Sequence, residues 1–214
     1  KLVDVILEAL GTFRPERAVA NAASSGALGI DWGAGARPGQ ASLQYEILGS
    51  AYGGGAGHDG ASCTATHLSN LHVTPIEILE SEFPCRVTEF ALIPDSGGAG
   101  AFRGGLSFRR AYEMLAAGTV IRRYDRAKCP PEGLAGGGPG RASRFVIRAG
   151  TPREEETPAS GRFELAEGDR FYLESAGGGG YGDPRKRERA RIARDLEEGY
   201  VTPEAAKRDY GYEG

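Results

Sequence analysis

"IPDSGGAGAFRGG", Ile93–Gly105, is the stretch from which this chain is best read. Five of its thirteen residues are glycine, and it has neither a helical nor a strand period. Glycine lacks a Cβ, so it adopts φ > 0 freely and lets other groups approach the backbone closely. That suits a turn, a phosphate cradle or a tight contact with another chain. The segments on either side, Arg86 to Ile93 and Leu106 to Leu115, read as strands, the second with Phe108, Tyr112 and Met114 on one side.

Further out the pattern repeats. Leu43, Tyr45 and Ile47 alternate with Gln44 and Glu46, which reads as a half-buried strand with the apolar residues inward. The "AAG" at 116–118 is expected to turn Leu106–Leu115 into Thr119–Tyr124 as a hairpin. Ser143–Arg148 and Arg170–Glu174 read as strands, and residues 151–161 as a polar exposed excursion. "KLVDVILEAL" is an amphipathic helix with Leu2, Ile6 and Leu10 on one face, and it reads as a chain that begins inside an element. At the other end Asp183 and Pro184 open a helix running to Gly199, with Ala190, Ala193 and Leu196 inward and Ile192 alongside. Thr202-Pro203 opens a second, short helix that Gly211 ends. Strands dominate the middle and helices the ends, so the expected class is α+β, with a β-rich region over 1–182 and a helical tail over 183–214.

Composition narrows the function. The 214 residues carry a net charge of −3, which points to neither nucleic acid nor an acidic membrane. No apolar run approaches the ~18 residues of a membrane span, and a cytoplasmic location is expected. Cys63, Cys85 and Cys129 form no CxxC pair, so reduced, mostly buried thiols are expected. Glycine supplies 34 residues, roughly 16 % against a usual ~7 %.

Motifs are few. Gly55–Gly60 matches GxGxxG, but no helical period follows it, as a dinucleotide site requires. There is no Gly-Lys dipeptide and so no Walker A loop. His58, His67 and His72, with Asp59 close by, are donors a zinc or manganese ion accepts, but their spacing fits no short metal motif. Loop histidines held by hydrogen bonds are the competing reading, and no metal site is expected. Glu77 and Glu80 lie one turn apart, as an acid–base pair or as favourable charge at a helix start. Six basic residues from Arg185 to Arg194, with four acidic ones among or just after them, read as a solvated helix face.

Taken in order, "GGGAGHDG", "THLSNLHVTPIEILESEFPCRV", "PDSGGAGAFRGGL", "PPEGLAGG", "ESAGGGGYGDP" and "DLEEGYVTPEAAKRDYGY" resemble the C-terminal part of the hydantoinase B/oxoprolinase family. The resemblance implies ATP-dependent ring opening of a cyclic amide such as a hydantoin, 5-oxoproline or a lactam. The alternatives are ketone carboxylation and a non-catalytic assembly module. It implies a hydantoinase A-type partner that handles ATP and Mg, and an N-terminal part of the B-type subunit that holds a divalent metal, Zn or Mn. This chain alone is expected to bind no cofactor and to be inactive. Thr66, His67, Ser69, Asn70, Thr74, Pro75, Glu77 and Glu80 match one family run, and Asp95, Ser96, Gly97, Gly98, Gly100, Arg103, Gly104 and Gly105 another. The resemblance makes His67, Glu77 and Asp95 catalytic candidates and Asp59, Asn70, Ser96 and Arg103 substrate-binding ones. Where the family usually has Gly-Ala-Arg and a longer loop, this chain has "GAGHDG", with His58 near the place of the arginine. On the residues themselves, Asp95 and Arg103 are expected side by side, either holding the loop or offering the guanidinium fork to a carboxylate or phosphate.

Overall fold

The computed structural model describes residues 2–24, 26–33, 42–67, 70–158 and 160–214. The chain is α+β and mostly β. Strands β1 (Gly26–Asp31), β2 (Leu43–Leu48), β5 (Gly118–Arg123) and β8 (Ser160–Leu165) form one antiparallel sheet in the order β2-β1-β5-β8. Strands β3 (Cys85–Leu92), β4 (Phe108–Met114), β6 (Arg144–Ile147), β7 (Glu155–Glu156) and β9 (Arg170–Glu174) form a second, in the order β3-β4-β9-β6-β7. The inner faces of both sheets supply one core. Leu28, Ile30 and Val120 come from the first, and Phe108, Tyr112, Phe145, Phe171 and Leu173 from the second.

The expected hairpin between Leu106–Leu115 and Thr119–Tyr124 does not form. β4 pairs with β3 and β9, while β5 pairs with β1 and β8. Residues 115–117 carry the chain from one sheet to the other, because Met114 and Val120 fill the same core from opposite sides. Residues 151–161, expected to be an excursion, contain β7 and the start of β8.

The alternation of β2 is real but inverted. Gln44, Glu46 and Leu48 are buried, while Leu43, Tyr45 and Ile47 face out. The reason lies on β4. The guanidinium of Arg110, fully buried, donates from Nη2 to Glu46 Oε2 at 2.8 Å, and Tyr112 Oη donates to Glu46 Oε1 at 2.9 Å. Gln44 Nε2 donates to the same carboxylate, and Trp32 Nε1 donates to Gln44 Oε1. A buried charge persists only when paired and hydrogen-bonded, and this network satisfies the carboxylate.

The glycine loops are a second structural layer. From residue 177 onward, successive N–H groups point to different segments. Gly177 and Gly180 donate to Arg141 and Gly138, and Gly178 and Tyr181 to Gly105 and Phe102, while Gly179 donates to Asn21. Gly182 donates to Leu134, so the segment is held by hydrogen bonds to its neighbours on several sides. In the opening stretch no glycine has φ > 0; the left-handed residue there is Asp95, at φ 59. The glycines serve close approach instead. A Cβ on Gly104 would collide with the carbonyl of Gly178, one on Gly98 with that of Gly138, and one on Gly105 with that of Ala61.

Helix α1 (Leu2–Gly11) forms as expected, yet none of its residues is buried. Helix α2 spans Ile76–Glu82. The C-terminal helix is shorter than expected: Pro184–Lys186 is a separate turn, and α3 spans Arg189–Glu197. Its inward residues are Ile192 and Asp195, with Leu196 partly covered, while Ala190 and Ala193 are exposed. The short helix α4 (Pro203–Ala205) starts at Thr202, whose side chain accepts from Ala205 N–H, and the segment ends at Gly211 with φ 66. Of the cysteines Cys85 is buried, Cys63 is half-buried and Cys129 is exposed, so the thiols are less covered than expected. No helix among the described residues is long and apolar enough to cross a membrane.

Candidate functional site

Two grooves flank the segment 58–73. The first lies between the loops and α3 and is lined by Asp59, Arg103, Arg187, Arg191, Asp195 and Tyr200, with a volume of about 560 Å³. Arg187 occupies its floor. Its Nη1 and Nη2 donate to Asp59 Oδ1 and Oδ2 at 2.7 and 3.0 Å, and Nη2 also donates to Asp195 Oδ2 at 2.6 Å. Arg103 N–H donates to Asp59 Oδ1 at 2.7 Å, and Arg191 Nη1 reaches Oδ2 at 3.3 Å. Burial would push the Asp59 carboxyl up, but the Arg187 fork, with the Arg103 N–H, holds it below the ordinary value. The Arg187 guanidinium is raised against its own burial by Asp59 and Asp195.

The structure therefore brings Asp59 and Arg103 together, but not Asp95 and Arg103. The Arg103 guanidinium is buried, donating to the Gly104 carbonyl and lying over the Tyr200 ring. The Asp95 carboxylate accepts from the N–H and the hydroxyl of Thr202 at 2.8 and 2.7 Å, at the start of α4. Ser96 is fully buried; its Oγ donates to the Ile93 carbonyl and accepts from Ser107 N–H.

The second groove, about 550 Å³, is lined by Tyr52, Cys63, Thr64, Thr66, Asn70 and His72, among others. Cys63 and Asn70 are both left-handed there, at φ 49 and 41, a conformation that stores strain in a residue with a side chain. Burial pushes the Cys63 thiol up, so it is neutral near pH 7. His67 sits beside this groove with Nε2 3.3 Å from Asp4 Oδ1 and its ring edge-on to Tyr52. Ser69 lies outside the described residues. Glu77 is exposed in the first turn of α2 and lines neither groove, while Glu80 Oε1 accepts from Val87 N–H.

Among the described residues no three His, Cys, Asp or Glu side chains converge as metal ligands. The four donors that sequence singled out do not converge: Asp59 is occupied by guanidinium groups, His67 faces Asp4, His58 Nδ1 lies 3.2 Å from the Asp59 carbonyl, and His72 lines the second groove. Sequence reading missed Arg187 and Asp195. The basic run is not simply a solvated face, because Arg187 is buried. An acidic residue three positions beyond Ile192, on its face of the helix, was the available signal.

Two sheets with a shared core, tied at one end by interlocked glycine segments, define a β-rich scaffold whose polar grooves open beside the 58–73 segment. The family model for hydantoinase B/oxoprolinase matches residues 1–184, and the chain belongs to that family. It is 36 % identical to an uncharacterized protein of Methanocaldococcus jannaschii, over 98 % of this chain and 36 % of the relative. It is 32 % identical to a putative D-/L-hydantoinase B-type subunit from a Pseudomonas species, over 79 % of this chain and 29 % of that one. The crystal structure of the ATP-dependent caprolactamase from Pseudomonas jessenii superposes with a TM-score of 0.79 at 26 % identity, covering 96 % of this chain and 38 % of that chain. This chain thus spans about a third of the length of these two relatives.

Proposed function

We propose that this chain is the C-terminal segment of the B-type subunit of an ATP-dependent amidohydrolase that opens a cyclic amide: a hydantoin, 5-oxoproline or a lactam. The observation that supports it most is the match of nearly the whole fold to a caprolactamase chain, at 26 % identity. In this reading ATP is bound by an A-type partner and a divalent metal by the rest of the B-type polypeptide. They supply activation of the amide carbonyl and of water.

This chain's part is to wall the substrate site. Thr64, Thr66, Asn70 and His72 give the second groove donors and acceptors suited to an amide N–H and C=O. His67, held by Asp4 and Tyr52, stands beside the groove, behind the lining residue Tyr52. Asp59, Ser96, Asp95 and Arg103 are assigned to holding the walls in place, because each is committed to protein partners. Exposed Glu77 has no assigned part. The test is ATP-dependent hydrolysis of caprolactam, hydantoin and 5-oxoproline by this chain assembled with the remaining B-type polypeptide and an A-type subunit. The expected result is turnover of at least one substrate, lost by about tenfold or more in Asn70→Ala and absent from the chain alone. Bicarbonate-dependent consumption of a ketone with no amide hydrolysis would replace the reading with the carboxylase one.

A further inference from the structure

The outer faces of the two sheets differ in kind. On the five-stranded sheet, Arg109 and Arg141 close over the buried Glu174 carboxylate, and Arg86 and Arg170 pair with Glu113, so that face carries charged side chains. On the four-stranded sheet the outward residues of β2 are Leu43, Tyr45 and Ile47, exposed by 61, 61 and 45 %. The register sets Tyr45 beside Gly29 and then Ile121, and Ile47 beside Ala27. The apolar strip therefore crosses three strands, with a flat place where Gly29 has no side chain. Asp31, Arg123 and Arg162 bound it, giving a polar rim around an apolar centre. A strip this continuous on a protein surface marks a contact.

Helix α1 carries the same signature. Leu2, Val5, Ile6 and Leu10 are all exposed, and no residue of the helix is buried. A helix of ten residues is marginal in water without tertiary packing. Its apolar side needs a cover that the described residues do not provide.

We propose that the part of a hydantoinase B-type polypeptide lying outside the match to this chain packs on the outer face of β2–β1–β5 and on α1. This rests on the functional reading above. The occupant is chosen on length and chemistry. In the caprolactamase chain the matched fold is only 38 % of the polypeptide, so the larger part of such a chain lies outside it and is available as the occupant. The outer face of the other sheet carries ion pairs, while the exposed Phe13, Ile78, Phe90 and Leu115 lie on neither β2 nor α1, so these two surfaces are the ones where exposed apolar residues share one element.

The test places the photo-crosslinker p-benzoylphenylalanine at Tyr45, and as a control at Arg86, in the chain assembled with the remaining B-type polypeptide and an A-type subunit. Linked peptides are then mapped. The expected result is a crosslink from position 45 to B-type residues outside the matched region, and none to them from position 86. Crosslinks from position 45 to the A-type subunit or to a second copy of this chain would overturn the proposal, as would none at all. A second arm uses Tyr45→Lys with Ile47→Glu. The isolated variant should keep its melting temperature within about 2 °C, and the yield of assembled complex should fall about tenfold. Unfolding of the isolated variant, or unimpaired assembly, counts against the proposal. An assembly that crosslinks as expected but opens no cyclic amide would refute the functional reading and leave the interface standing.

Discussion

Arg187 and Asp59, 128 residues apart in sequence, meet in a two-pronged ion pair at 2.7 and 3.0 Å. Asp195 takes a further bond from the same guanidinium, so one side chain joins the glycine loops to α3. Removing one partner of a buried pair strands the other charge, at a typical cost of about 3–5 kcal/mol. Asp59 keeps partial contact with water, so Arg187→Ala is expected at the low end, about 3 kcal/mol. Arg187→Lys is expected to recover little, because one ammonium cannot replace the planar fork. Urea denaturation of the purified chain measures both, and a loss under about 1 kcal/mol would refute the clamp.

The same pair sets a pH response. The folded carboxyl of Asp59 titrates below its ordinary 3.8, so its contribution is fully present above that value and is lost as pH falls through the lower, folded one. Stability from this group is therefore expected to be flat between about pH 5 and 8 and to decline below about pH 4. Asp59→Asn should lower the plateau and flatten the acid limb. An Asn variant with an unchanged acid limb would assign the decline to other carboxylates.

Much of this architecture was legible in the chain. Phe108, Tyr112 and Met114 lie on one side of a strand, and Thr202-Pro203 opens a helix, because both are local patterns. What was not legible depends on partners far away in sequence. β2 turns its apolar residues outward because Arg110 and Tyr112, more than sixty residues on, require Glu46 inward. The grooves were half legible: the family runs mark Asn70 and Arg103, but only the fold shows that Arg103 is buried while Asn70 lies open.

The buried Glu46–Arg110 pair yields a double-mutant test. Glu46→Leu leaves Arg110 charged and unpaired in the core and should cost about 3–5 kcal/mol. Adding Arg110→Met removes the stranded charge, and the double variant should be more stable than Glu46→Leu alone. Chemical denaturation of the three variants checks this. Additive losses would mean that the two charges are uncoupled.

Glycines held by close approach and glycines held by φ respond differently to asparagine. Gly150 is left-handed, at φ 74, with no atom within 4 Å of the place a Cβ would take, and asparagine tolerates that conformation. Gly150→Asn should be nearly neutral. Gly104 has an ordinary φ but no room beside the Gly178 carbonyl, so Gly104→Ala and Gly104→Asn should both cost about 1–3 kcal/mol or more. Melting temperatures distinguish the two, and a neutral Gly104→Ala would mean that the glycine layer is loosely packed.

Asp95 gives the sharpest separation of structure from catalysis, because the family run makes it a catalytic candidate while its geometry makes it a clamp. Both carboxylate oxygens are used, accepting from the backbone and side chain of Thr202, and its φ of 59 suits Asp or Asn. Asp95→Asn keeps one acceptor oxygen and the left-handed backbone. It should cost about 0.5–1 kcal/mol, within the range of weakened helix caps. Thr202→Val removes the hydroxyl from the same contact and should cost a similar amount. The double variant should cost less than the sum, since the two share one interaction. Turnover per assembled complex should be unchanged in Asp95→Asn once the folded fraction is matched. A loss of about a hundredfold in turnover with an unaltered melting temperature would show instead that Asp95 leaves Thr202 to act on substrate in the assembled enzyme.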